Sequence, residues 1–180
     1  MKKFILCIIC ICTFNTVFAQ DFRPIVIPPY AGFDEILAKD KEHFSVMVGL
    51  LKTADLPELQ SSKSSFTLFA PTNEAFNNMP KGFIENAQKD KALAQKFIRA
   101  HLLKGKVLFA QVFNGSVGGG KVTKVFYSLN NEKIEIQCDD HPMSMEKEHH
   151  PLINQKAKTI YSDVEGKYNV IQVLDGVLYN

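Results

Sequence analysis

Apolar side chains recur at helical spacing near the start of the chain. Phe33, Ile36 and Leu37 share one face, and Phe44, Met47, Val48 and Leu51 repeat at i, i+3, i+4, i+7. Two amphipathic helices are predicted, with Asp34 early in the first, where a carboxylate suits the helix dipole, and Pro57 closing the region. The period then changes to two. In "FTLFAPTNEAFNNMP" (66–80), Phe66, Leu68 and Ala70 alternate while Phe69 adds an apolar group on the opposite face, which predicts a short strand covered on both sides. Pro71 ends that strand, and Thr72 N-caps a short helix that points Ala75 and Phe76 at the core. "QKDKALAQKFIRAHLLKG" (88–105) predicts an amphipathic helix with Leu93, Phe97, Ala100 and His101 on its apolar stripe and Gly105 just past its end. Thereafter the segments 121–129, 132–137, 151–155, 157–164 and 168–180 read as strands. Helices first and strands second define one α+β domain.

The N-terminus follows another grammar. Lys2 and Lys3 precede an apolar run from Phe4 to Phe14, and Val17 and Ala19 occupy the −3 and −1 places of a cleavage site. Residues 1–19 therefore read as a signal peptide cleaved after Ala19, which places the protein in a secreted or periplasmic compartment. Residues 20–30, "QDFRPIVIPPY", contain three prolines and read as an extended arm ahead of a domain spanning 31–180. Cleavage removes Cys7, Cys10 and Cys12 and leaves Cys138, so disulfides do not build this fold. It also removes Lys2 and Lys3 and leaves 19 basic against 19 acidic side chains. That balance argues against a nucleic-acid partner. No second apolar run follows, so no membrane span is predicted after cleavage.

The stretch "FTLFAPTNEAF" resembles the first signature box of the fasciclin (FAS1) family, carried here by Thr67, Phe69, Ala70, Pro71, Thr72, Asn73, Ala75 and Phe76. "NVIQVLDGVLYN" is similar to the second box, with Asn169, Asp175 and Gly176, and "FIRAHLLKGKV" to the helix with the family's Tyr-His pair, of which His101 is present and Ala100 replaces the tyrosine. Where the second box commonly reads N-G-x-I-H, this chain has Asn169-Val170-Ile171-Gln172, without that glycine or histidine. The resemblance covers about 31–180. It implies a β-sandwich or wedge of mostly C-terminal strands with the N-terminal helices packed on it. It also implies a non-catalytic adhesion or interaction module whose partner is a protein or cell-surface component.

The residues leave few openings for catalysis. Thr72, Asn73 and Glu74 have residue types that helix capping explains. His101, on an apolar stripe, reads as a core histidine bonded to a backbone carbonyl, and no nucleophile motif accompanies it. Asp175-Gly176 reads as a turn. "NGSVGGGK" (114–121) lacks phosphate-loop spacing because Val122 follows Lys121. Asn114-Gly115-Ser116 is a glycosylation sequon in a eukaryotic host. One segment stands apart. "CDDHPMSMEKEHHP" (138–151) reads as an inserted hairpin loop, far longer than the usual about two to five residues. Cys138, His141, Met143, Met145, His149 and His150 are ligand types that suit copper first and zinc second. Their spacing matches no established motif, so two readings stand: a metal loop, or a solvated insertion with no cofactor.

Overall fold

In a computed structural model of the protein, the structure describes residues 32–60, 64–113, 121–139, 150–166 and 168–179. The expected signal peptide and the arm at 20–30 lie outside the described residues.

Two helices open the fold, α1 (Phe33–Leu37) and α2 (Lys41–Ala54), followed by a 3-10 turn at Pro57–Gln60. Asp40 caps α2, its carboxylate accepting from the His43 amide at 3.2 Å. The first strand, β1, is Phe66–Pro71, and a 3-10 helix at Glu74–Asn78 follows it. Next come α3 (Phe83–Ala87), α4 (Lys91–Ala100), β2 (Leu102–Lys104) and α5 (Phe109–Val112). The chain ends in β3 (Lys121–Tyr127), β4 (Lys133–Asp139), β5 (Leu152–Ile153), β6 (Ala157–Glu165) and β7 (Asn169–Leu174).

The seven strands form one sheet in the order β2-β1-β7-β6-β5-β4-β3, and β1 and β7 are its parallel pair. Strands far apart in that order nevertheless share a core. Phe69 of β1 and Leu174 of β7 pack in one cluster with Ile134 and Ile136 of β4 and Ile153 of β5. The sheet must therefore fold over on itself, and an isolated bridge between Leu103 and Ser128 joins its two ends. This is the wedge the resemblance implied. A second, larger cluster lies between the helices and the opposite face of β1 and β7, with Phe44, Met47, Leu50, Leu68, Phe97, Ile98 and Ile171 at its centre. Every residue of β1 is buried because the strand has a core on each face.

Three sequence expectations need correction. The helix expected to run to Gly105 stops at Ala100, and Leu102–Lys104 is a strand paired with Phe66–Leu68. Leu102 and Leu103 are both buried, one in each core cluster, which a strand at a sheet edge permits and one helix face does not. Gly105, at φ +94, therefore ends β2 rather than the helix. The buried stripe of α4 is Ala94, Phe97, Ile98 and Ala100; Ile98 was missing from the expected stripe, and Leu93 is only partly buried. Strand β4 also extends to Asp139, so its connection to β5 begins beyond Cys138, and 140–149 lie outside the described residues.

Candidate functional site

The two signature boxes are adjacent in the fold. Strands β1 and β7 run parallel in register from Phe66↔Asn169 to Pro71↔Leu174. The side chains that mark the boxes hold backbone together. Thr67, fully buried, donates to the Gly105 carbonyl at 2.8 Å and accepts from the Val107 amide at 2.8 Å, tying the chain after β2 to β1. Asn169 accepts from the Phe66 amide at 3.3 Å. The Phe69 amide donates to the His101 carbonyl at 2.9 Å, and Ala70 is buried in the helix-side cluster.

The corner after Pro71 depends on Asn73 more than on Thr72. The Thr72 hydroxyl accepts from the Ala75 amide at 3.4 Å, at the long limit of a hydrogen bond. Asn73 precedes the 3-10 helix but makes no side-chain cap. Its Oδ1 accepts from the Val46 amide at 3.0 Å, and its Nδ2 donates to the Glu42 carbonyl at 2.7 Å and to Ser45 Oγ at 3.0 Å. The Asn73 amide adds a bond to the His43 carbonyl at 2.7 Å. Asn73 thus fastens the corner to the first turns of α2, while Ala75 and Phe76 are buried beneath it.

His101 is fully buried at the C-cap of α4. A carbonyl only accepts, so the 2.9 Å contact with Phe97 O requires the proton on Nδ1. Nε2 then accepts from the Leu178 amide at 3.0 Å. The ring also stacks on Phe97 with centroids 4.4 Å apart. Burial holds the imidazole neutral and lowers its pKa from 6.5 to about 4, opposed in part by the bond to Phe97. Nδ1 is bonded within α4 and Nε2 to the C-terminal segment, which leaves no lone pair for a substrate proton.

Gln172 lies within the second signature box, on β7. It is fully buried, donates from Nε2 to the Val107 carbonyl at 3.0 Å and to Asp163 Oδ1 at 2.7 Å, and accepts from the Asp163 amide at 2.8 Å. Asp163, at φ +57 in an irregular stretch of β6, also accepts from the Phe109 and Ala110 amides at 2.8 and 2.9 Å. Nothing local in the sequence marks this network, because an aspartate amid a β pattern with no glycine beside it gives no signal. Asp175 binds the start of β6, accepting from the Lys158 amide at 2.6 Å. At Gly176 a Cβ would lie 3.0 Å from Ala157 Cβ and 3.3 Å from the Lys156 carbonyl, so this glycine permits a close approach of chains.

Of the candidate metal ligands, His141, Met143, Met145 and His149 lie outside the described residues. Cys138 is half-buried on β4, opposite Val122. His150 donates from Nδ1 to the Thr159 carbonyl at 2.7 Å. Among the described residues, no group of three or more His, Cys, Asp or Glu side chains is placed to hold a metal ion.

The wedge and its helices define a class of fold. The chain superposes on a FAS1 domain pair from the insect cell adhesion molecule fasciclin I with a TM-score of 0.63 at 15% identity, covering 84% of this chain and 52% of that one. The fasciclin domain profile matches residues 42–180, and the chain belongs to that family. It is 34% identical over 146 residues to protein sll1483 of Synechocystis sp., covering 79% of this chain and 70% of that protein. It is 33% identical over 158 residues to human periostin, covering 88% of this chain but 17% of periostin. The pig transforming growth factor-beta-induced protein ig-h3 is 29% identical over 135 residues, covering 75% of this chain and 18% of its own length. No helix among the described residues is long and apolar enough to cross a membrane.

Proposed function

We propose that this fasciclin domain is a non-catalytic, exported module that binds another protein or a cell-surface component. One observation carries the reading. The polar side chains of the signature boxes and of the mid-domain histidine are committed to the backbone: Thr67 to 105 and 107, Asn73 to α2, His101 to 97 and 178, Asp175 to 158. Groups held this way build a scaffold, and work then falls to the outer surface. The kinship with a cell adhesion molecule agrees with that division. Export rests on the leader grammar of residues 1–19. The test is fractionation of the host together with capture by immobilised residues 20–180. The reading requires the chain in the envelope or medium and a saturable partner at fixed stoichiometry. A cytoplasmic chain, or no partner across a wide concentration range, would overturn it.

A second reading places copper or zinc in the 138–150 segment, and His150 favours it. Its Nδ1–H bond to the Thr159 carbonyl orients the ring through a backbone acceptor, as metal-binding histidines commonly are. Tight, stoichiometric ion binding lost in a variant without residues 140–149 would support it. Weak binding, equal in both proteins, would dismiss it.

A further inference from the structure

Among the described residues, no strand pairs along the outer edge of β3. Strand β3 is the terminal strand, and it pairs with β4 through seven consecutive positions, Lys121↔Asp139 to Tyr127↔Lys133, with no bulge. Five of its seven residues are β-branched or aromatic, and it contains no proline. Val125 and Tyr127 are two of the three large apolar side chains exposed among the described residues, at 47% and 63%. Proteins ordinarily blunt such an edge with bulges, proline, a short length or charged side chains, lysine above all, and of these β3 carries only Lys121 and Lys124. The other edge, β2, is three residues long.

The hairpin turn fixes which backbone groups face outward. The Ser128 amide donates to the Glu132 carbonyl at 2.9 Å, one step beyond the Tyr127↔Lys133 pair. Hydrogen-bonded and non-bonded pairs alternate along an antiparallel ladder. Phe126, Lys124 and Val122 therefore direct their amides and carbonyls at β4, and Val125, Thr123 and Lys121 direct theirs away. At one end β2 closes the edge, since the Leu129 amide donates to the Leu102 carbonyl at 3.0 Å beside the Leu103–Ser128 bridge. Among the described residues, no strand covers 121–125.

Charge selects the occupant. Lys133 of β4 pairs with Glu135, but Lys121 and Lys124 have no ion-pair partner among the described residues. Two copies joined through this edge would gather four such lysines, a repulsive arrangement. Lys124, opposite the buried Ile136, and Lys121 lie on opposite faces of β3, so an extended segment carrying carboxylates on both its faces would instead meet both lysines while its backbone completes the ladder. Resting on the reading of the domain as a protein-binding module, we infer that the β3 edge receives an extended acidic segment of a partner protein as an eighth strand. Backbone bonds to Thr123 and Val125 give the affinity, and Lys121 and Lys124 choose the charge.

The probe is a short capped peptide repeating valine-glutamate-glutamate, which sets glutamates on both faces of a strand, with a valine-lysine-lysine peptide as control, titrated into residues 20–180. Binding is read by fluorescence anisotropy, and the amides of Thr123 and Val125 by hydrogen exchange. The acidic peptide is expected to bind, to slow exchange at those two amides, and to weaken as salt shortens the screening length to below about 8 Å. K121E/K124E is expected to lower its affinity roughly tenfold and to admit the basic peptide. V125P is expected to abolish binding while the fold persists, because the Val125 amide faces away from β4 and proline there removes no ladder bond. No binding, binding without protection at Thr123 and Val125, or binding indifferent to both variants would overturn the inference. So would protection at those amides that appears with self-association and no peptide. If partner capture survives V125P and K121E/K124E, the module reading stands and this surface assignment falls.

Discussion

Replacing His101 by glutamine separates a structural histidine from a chemical one through pH. In the folded protein the imidazole is neutral, with a pKa of about 4 against 6.5 for the unperturbed group, because burial excludes the charged form. The unfolded chain therefore takes up a proton first as pH falls. Stability contributed by the neutral ring is complete above pH 6.5, declines as pH falls from there, and levels off below about 4. At 1.36 kcal/mol per pH unit that interval is worth about 3 kcal/mol. At pH 7, H101Q loses the stacking on Phe97 and disturbs the acceptor for the Leu178 amide, which together cost about 2–4 kcal/mol. The assay is urea unfolding of both proteins at steps from pH 7.5 to 4, extrapolated linearly to water. Carboxylates titrate in both proteins, so the difference between them isolates His101. H101Q should be less stable at pH 7 and should close most of that gap by pH 4. A gap independent of pH would refute the reasoning, since the histidine would then not be held neutral by burial.

Four further substitutions test the scaffold. Asn73→Ala removes three side-chain bonds to α2 and should lower stability by about 2–4 kcal/mol, read as a shift in the urea midpoint with unchanged slope. Thr72→Ala should cost less, about 0.5–1 kcal/mol, because its single cap bond is long. Thr67→Val keeps the shape but strands the Gly105 carbonyl and the Val107 amide, with an expected cost of about 2–4 kcal/mol in the same assay. Gly176→Ala drives a methyl against Ala157 and should cost about 1–3 kcal/mol, visible as a lower melting temperature.

Local pattern in the sequence specified the elements whose partners are set by one face or two. The helix at 41–54 and the doubly buried strand at 66–71 follow from periodicity, because each residue's neighbours along the chain already encode its face. Pairing was a different matter. Nothing near Phe66 says that Asn169 lies beside it in parallel, since that contact is settled by the whole core. Leu102 and Leu103 continue a helical rhythm and also suit a strand buried on both faces; the exposed edge of β1 decides between them. Asn73 was legible as a helix-start residue, but its partners lie at 42, 45 and 46 on another helix. The Gln172–Asp163 network joins residues across an irregular β pair, where a positive φ at a non-glycine position leaves no mark in composition. The histidine was legible as buried because its stripe is apolar, while the second bond, to Leu178, comes from a segment 77 residues away.

The proposal that this fasciclin domain works by binding, through surface that its signature residues only support, is open to a direct test. Quantitative capture from host envelope extract tests it most directly, with immobilised residues 20–180 compared with V125P and with a variant lacking residues 140–149. The account predicts one saturable protein or cell-surface partner at fixed stoichiometry, retained by at least the variant that leaves the contact surface intact. Capture of nothing by any of the three, together with tight uptake of copper or zinc by the intact chain, would contradict it and make the protein a metal carrier on a fasciclin scaffold.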